Sequence, residues 1–313
     1  MRIGLAVGEL RGPVTIEGIV EQVRVAAQEG FATAWSAQAL GWDALTTLAL
    51  AGTAVPAIAL GAAVVPVPQR HPLVLAAQAL TVQAAVAGRL TLGIGAGIGA
   101  GIGAMVSGML GLPADQPVRR LREYLTVLGP LLRGEPVDQH GDTLTAVGAV
   151  TVPAGVPAPS VLLAAMGPRM LRLAGQLADG TVTWMTGPKA LGEHIVPVIS
   201  SAAADAGRPA PRIVAGLPVC VTNQADSVRA RIAEDFALAA QVPEYRATLD
   251  REGAAGAQDV AIVGTETEVG TALARLRDVG VTEFIAAPYG TGDEQARTIA
   301  ALAVMSAARP GCP

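Results

Sequence analysis

Three places in the chain gather residue types that could do chemistry. Gln69-Arg70-His71-Pro72 follows an apolar run and precedes a helix. An imidazole at such a junction can move a proton near neutral pH, or it can serve only as the cap of the helix. Met166-Gly167-Pro168-Arg169 joins an apolar strand to a helix. There Gly167 allows close backbone approach, Pro168 pre-sets the helix, and N–H groups at the helix start suit a phosphate. Arg169 adds a charge-assisted contact; the alternative is an ordinary tight turn. Trp42 and Trp184 offer flat faces against which a substrate ring can stack, although Trp184 could equally close off the end of its strand. His140 and His194 are isolated and read as surface residues. No nucleophile elbow, P-loop, zinc-ligand spacing or paired-carboxylate signature is present. So few acids and bases favour chemistry carried by an organic cofactor over general acid–base hydrolysis.

A fourth stretch is odd in a different way. Leu90 to Leu112 carries no charge, and glycine occupies every second position from Gly93 to Gly103. It is long enough for a membrane span. The relaxed dinucleotide pattern GxGxxA fits it in two registers, from Gly95 and from Gly99. It could also be an inert low-complexity loop, or a buried strand running into a loop that walls a site.

The elements that must position these residues are legible along the whole chain. Apolar runs of strand length occur at Arg2–Val7, Ala32–Ala37, Ala57–Val65, Arg89–Gly95, Val161–Ala165, Thr181–Met185, Arg212–Val221 and Glu283–Ala287. Between them lie segments with helical periodicity: Thr15–Gln28, Asp43–Val55, Pro72–Ala87, Pro117–Arg133, Pro168–Leu177, Lys189–Ala206, Ala225–Ala240, Thr267–Val279 and Asp293–Ala308. Asp138–Val152 reads as a small hairpin, and Val242–Asp259 as an insertion. Strands that are apolar throughout belong to a parallel sheet covered by helices. Eight strands, each followed by a helix, without a dividing linker, predict one (β/α)8 barrel spanning residues 1–313. Function then sits at the C-terminal ends of the strands. The barrel also accounts for the apolar run at Leu90–Gly95 and removes the need for a membrane span.

Bulk properties narrow the partners. Of the 313 residues 51% are hydrophobic, enough for a large core. The formal charge of −4 argues against a nucleic-acid partner. Cys220 and Cys312 lie in no metal or redox spacing. The opening MRIGLAVGEL does not read as a signal peptide, and the expected setting is a cytoplasmic one without membrane contact.

Several segments together resemble the luciferase-like oxidoreductases, and among them the class that uses the deazaflavin coenzyme F(420). They are Asp43-Ala44-Leu45-Thr46 after a tryptophan, Leu60 to Pro66, Arg70-His71-Pro72, Gly88 to Gly95, Pro117 to Leu125, Gly167 to Leu171, Ala178-Asp179-Gly180, and Val263 to Thr282. The resemblance implies a luciferase-like TIM barrel that transfers a hydride to an unsaturated small molecule, usually as a homodimer. It implies a non-prolyl cis bond at Ala63–Val64, ring contacts at Ala96 and Gly97, and a phosphate turn at Met166, Gly167, Pro168 and Arg169. The segments depart from the family pattern twice. An Asp-His pair common after the second strand is Gln38-Ala39 here, and a polar segment after the fourth strand is replaced by the glycine–alanine repeat. Proton donors are then Gln38, as a weak polar contact, His71 or water. Two other functions fit the same scaffold: an FMN-dependent monooxygenase, and a barrel that binds without turnover.

Overall fold

A computed structural model describes residues 1–12, 14–38, 40–97, 108–112, 115–153, 155–238 and 241–307. The chain lays down β1 (Arg2–Val7), β2 (Thr33–Ser36), β3 (Ala59–Pro66) and β4 (Leu90–Gly95), then an antiparallel hairpin of β5 (Val137–His140) and β6 (Thr145–Gly148). β7 (Ser160–Ala164), β8 (Gly180–Trp184), β9 (Arg212–Val221), β10 (Ile262–Gly264) and β11 (Glu283–Pro288) follow. All strands except the hairpin pair in parallel, in the order β11-β1-β2-β3-β4-β7-β8-β9, and β9 returns to β11 to close an eight-stranded barrel. Helices connect successive strands on the outside, as right-handed βαβ chirality requires.

Helix starts follow their caps. Thr15 accepts from Gly18 N–H, Asp43 from Thr46 N–H, and Thr265 with Glu268 forms a reciprocal capping box, which satisfies donors the first turn leaves orphaned. Arg89 serves the opposite end: its guanidinium donates to the carbonyls of Gly52, Val55 and Ile58, around the C-terminus of helix Ala44–Ala54.

The structure departs from expectation in three elements. The helix anticipated over Lys189–Ala206 is interrupted by a π-helical turn, Leu191–Ile195, before Val196–Asp205; Pro197 has no N–H to return to the Glu193 carbonyl, so the narrower register cannot close there. The helix anticipated to Ala240 stops at Asp235. The stretch anticipated as an insertion holds helices Pro243–Glu252 and Ala257–Val260, and it leads into β10, a strand too short to show a pattern. β10 pairs with Val219–Val221, the part of β9 that extends past β8.

Inside the barrel the side chains form layers. At the N-terminal end the fully buried Glu283 accepts from Trp35 Nε1 (2.9 Å), Arg2 Nη2 (2.7 Å) and Arg212 Nη2 (3.2 Å). Arg212 also donates to Thr91 and Ser160. Above this ion cluster the indole of Trp35 fills the middle, packed with Leu162, Val182, Val214 and Ile285. Gly4 and Gly61 on the flanking strands make room for it. A Cβ on Gly4 would sit 2.7 Å from the indole, and one on Gly61 would overlap the six-membered ring. Gly61→Ala is therefore expected to lower stability by about 1–3 kcal/mol through overpacking, read as an earlier urea midpoint with an unchanged slope; an unaltered midpoint would mean that the Trp35 ring can shift.

Candidate functional site

Above Trp35 the barrel interior changes character. The upper layer consists of Ala6, Ala63, Val64, Ala164, Ala287 and Trp184, with Gly95 and Gly216 between them. Trp184 lies over Gly216, where a Cβ would be 2.8 Å from its ring. On the other side, a Cβ on Gly95 would come within 3.1 Å of Val64 and 3.2 Å of Ala164. These short side chains leave a shallow apolar basin, open at Ala63, Val64, Ala164 and Trp184, which are only partly buried. Among the described residues no titratable side chain belongs to this layer.

The basin's β3 edge is irregular. The Ala63–Val64 peptide is cis, as the resemblance implied, and the β3–β4 register shifts between Ala62 and Val65. Opposite it, Gly93 has no space for a Cβ against the Ala62 carbonyl. After β4, Ala96 packs partly against the core and Gly97 adopts φ +90°, a conformation suited to glycine. The remainder of the glycine–alanine repeat, residues 98–107, lies outside the described residues, as does Ala39.

Across the mouth, Gly167 is the N-cap of helix Pro168–Leu177, and no side chain caps it. Leu171 N–H bonds Gly167 O, so the N–H groups of Arg169 and Met170 are the orphan donors of this first turn. Gly167, Pro168 and Arg169 are exposed. With the helix dipole and the Arg169 guanidinium, this end suits a phosphate. Met166, just before it, is braced from below by His194, whose Nε2 donates to Met166 O (3.0 Å). Expected on the surface, His194 is instead half-buried, because the π-helical turn carries it under the rim. Burial lowers the pKa of this imidazole, favouring the neutral ring that makes this bond. Sequence periodicity could not find it, since the π turn shifts the helix face.

The other candidates fall on the β2–β3 side. Gln38 lies two residues beyond Ser36, which pairs with Ala62, so it stands level with the cis bond. Its Oε1 accepts from Arg70 Nη2 (3.2 Å) and Ala44 N–H (3.4 Å). Arg70 is held further by Asp43 and by Gln78 (3.0 Å), and Tyr124 donates to its carbonyl (3.0 Å). Burial works against ionisation of Asp43, but the hydrogen bonds from Thr46 and the Arg70 cation prevail and hold its pKa below the ordinary carboxylate value. Burial likewise pushes the Tyr124 phenol well up, so it stays a donor. Trp42 is exposed on this rim and tied by Nε1 to Val14 O (2.9 Å). His71 caps helix Pro72–Ala85: Nδ1 accepts from Leu73 N–H and Nε2 donates to Thr145 O (2.9 Å). Nδ1 is thus committed to the helix cap and Nε2 to the hairpin, and the ring is positioned as a strut. Trp184 packs edge-on against Phe236, with 6.3 Å between centroids, and Phe236 against Tyr289 at 6.4 Å. Cys220 is buried, and burial together with Glu294 pushes its thiol up to about 11, which leaves it inert.

An eight-stranded parallel barrel with an apolar layer at its C-terminal mouth and an uncapped helix start beside it defines a TIM barrel. The profile of the luciferase-like monooxygenases matches residues 3–302, and the chain belongs to that family. Among curated relatives it is 26% identical over 310 residues to a 5,10-methylenetetrahydromethanopterin reductase of Methanolobus tindarius, covering 89% of this chain and 92% of the relative. Among solved structures it superposes on the coenzyme F(420)-dependent tetrahydromethanopterin reductase of Methanopyrus kandleri with a TM-score of 0.76 and 20% identity, covering 96% and 97% of the two chains. It superposes equally, at 0.76 and 17% identity over 100% and 99% of the chains, on the oxygenating constituent of 3,6-diketocamphane monooxygenase of Pseudomonas putida in complex with FMN. Among the described residues no helix is long and apolar enough to cross a membrane.

Proposed function

We propose that this protein is an oxidoreductase that binds coenzyme F(420) at the barrel mouth and passes a hydride from it to an unsaturated small molecule. The observation that carries the reading is the pairing of a basin floored by Ala63, Ala164 and Gly95 with the uncapped helix start at Gly167. The first admits a flat ring and the second its phosphate. A relative in Mycobacterium tuberculosis named as a putative coenzyme F(420)-dependent oxidoreductase, and the structure of the coenzyme F(420)-dependent tetrahydromethanopterin reductase, support the choice of cofactor. In its reduced form the coenzyme supplies a hydride to an electron-poor carbon, and a proton from solvent completes the reduction.

The chain's own residues bind and align. Ala63, Val64 and Ala164 exclude water from one ring face, and Trp184 bounds the mouth on the far side. Ala96 and Gly97 flank the ring where β4 ends. Arg169 and the N–H groups of Arg169 and Met170 receive the phosphate, with His194 bracing the turn. Alignment of donor and acceptor is the main requirement of hydride transfer, which suits a mouth poor in acids and bases. A cytoplasmic homodimer is part of the same reading.

Arg169→Ala is expected to weaken binding of oxidised coenzyme F(420) about ten-fold, the cost of one charge-assisted hydrogen bond, with unchanged thermal stability. Equal affinity in the variant would remove Arg169 from the site. FMN is the rival cofactor, favoured by the fold shared with the FMN-bound monooxygenase. The absorption spectrum of protein loaded from an equimolar mixture separates the two, since the deazaflavin absorbs to the blue of FMN.

A further inference from the structure

Helix Pro168–Leu177 and its neighbour Pro117–Leu132 reverse the charge pattern usual at helix starts. The partial positive charge of a helix start favours acids there. Helices Ile16–Gln28, Ala225–Asp235 and Glu266–Asp278 follow that rule, with Glu17, Asp226, and Glu266 and Glu268 in their first turns. The first turns of Pro117–Leu132 and Pro168–Leu177 hold no acid, and no side chain caps either start. Their opening turns carry Arg119, Arg120 and Arg122 on one helix, and Arg169 and Arg172 on the other. Glu123 is the only carboxylate in either helix, and it accepts from the Thr143 N–H (2.9 Å) and hydroxyl (2.6 Å).

Two of the five arginines are neutralised close by: Arg119 by Asp142 and Glu123, and Arg120 by Asp115. The other three are not. Among the described residues Arg122, Arg169 and Arg172 have no ion-pair partner, and all three are exposed. They form one row. Arg169 and Arg172 are three residues apart and Gln176 is four further on, so all lie on one face of the helix. Arg122 Nη2 donates to Gln176 Oε1 (3.1 Å), which brings the third guanidinium onto the same line from the adjoining helix. The row begins at the phosphate turn, and from Arg169 to Gln176 the helix rises about 10 Å. Like charges at this spacing, set toward the positive end of the helix dipole, weaken the helix that carries them. An anion laid along the row offsets that cost.

We propose that Arg169, Arg172 and Arg122 form a subsite for a flexible chain of carboxylates that leaves the phosphate turn and runs down the outside of the barrel, and that its occupant is the glutamate tail of coenzyme F(420). This rests on the coenzyme reading above. A tail tethered through its phosphate meets the row at a high effective concentration, so exposed ion pairs that are weak one by one act together. An uncharged extension gains nothing from three free guanidinium groups, and a compact dianion cannot span them.

The test titrates the full chain with two forms of oxidised coenzyme F(420), one with its glutamate tail and one that ends just beyond the phosphate, each followed by the coenzyme's fluorescence. Wild type in low-salt buffer is expected to bind the tailed form about eight-fold more tightly, at about two-fold for each exposed ion pair. In about 1 M salt, where the Debye length falls to about 3 Å, the difference should vanish. The double variant Arg122→Gln/Arg172→Gln should lose about four-fold in affinity for the tailed form and stay within about two-fold of wild type for the tail-less one. Arg169 is kept, because it also serves the phosphate. Arg275→Gln removes an equal charge from helix Glu266–Asp278, which packs on β9 and β10, and should leave both affinities as in wild type.

Equal affinity of the two forms in wild type overturns the proposal. So does a loss in the double variant that is the same for both forms, or the same loss from Arg275→Gln, since either makes the effect one of net charge alone. Binding of neither form sinks the coenzyme reading and the tail subsite with it, whereas equal binding of both sinks the subsite only.

Discussion

Replacing Glu283 by Ala is expected to cost about 3–5 kcal/mol of stability, as breaking a buried ion pair by removing one partner does. Three donors lose their acceptor at once: Trp35 Nε1, Arg2 Nη2 and Arg212 Nη2. The group is fully buried, so water cannot replace it without opening the N-terminal end of the barrel. Arg212 Nε already lacks a partner, and further loss leaves a cation in a low-dielectric setting. For a domain of this size the melting temperature should fall by roughly 10 °C. Glu283→Gln, which keeps an acceptor for Trp35 but loses the charge, should fall between wild type and Glu283→Ala. Differential scanning fluorimetry of the three proteins checks the order. A melting point within about 2 °C of wild type in Glu283→Ala would show that Trp35 and its glycine neighbours, and not the ion cluster, carry the stability of this end.

The second large effect is functional and spares the fold. Ala164 ends β7, packs against the interior layer and is open to the mouth. In Ala164→Leu the longer side chain can extend into the basin without entering the closed core, so stability should change little. The same side chain occupies the volume a cofactor ring needs. Binding of coenzyme F(420) should fall at least about 100-fold, or about 2.7 kcal/mol. Together the two variants are expected to separate the ends of the barrel: loss of stability from Glu283 at the N-terminal end, and loss of binding from Ala164 at the C-terminal end. This division is general for such barrels.

How far the sequence revealed this depends on the kind of residue. All eight barrel strands were legible, because continuous apolar runs alternate with helical periodicity. Helix Pro168–Leu177 and strand Arg212–Val221 match their expected limits. β10 was not legible. Its three residues pair only with the overhanging end of β9, and that overhang is a tertiary fact. The π-helical turn was hidden because periodicity reads a single helix over Lys189–Ala206 with Pro197 inside it, while the effect of the proline falls on the preceding residues.

The site was legible as a set of positions more than as roles. The Ala63–Val64 bond is cis, as the resemblance implied, and Gly167–Arg169 open a helix that no side chain caps. His71 does lie beyond β3, but both of its nitrogens are used in the scaffold. Several motif residues prove to be scaffold as well: Arg89 satisfies helix carbonyls, and Asp179 accepts from Val161 N–H. Neither partner is near it in sequence, so such roles come only from the three-dimensional packing. His194 and Arg70 belong to the same class.

The central claim is that the alanine- and glycine-floored mouth is a deazaflavin site. Titration of the full chain with oxidised coenzyme F(420), followed by the coenzyme's fluorescence, tests it most directly. The expected result is a single saturable phase with a Kd on the order of 10 µM or tighter, lost in Ala164→Leu. No saturation up to about 100 µM, or saturation that Ala164→Leu leaves unchanged, would contradict it.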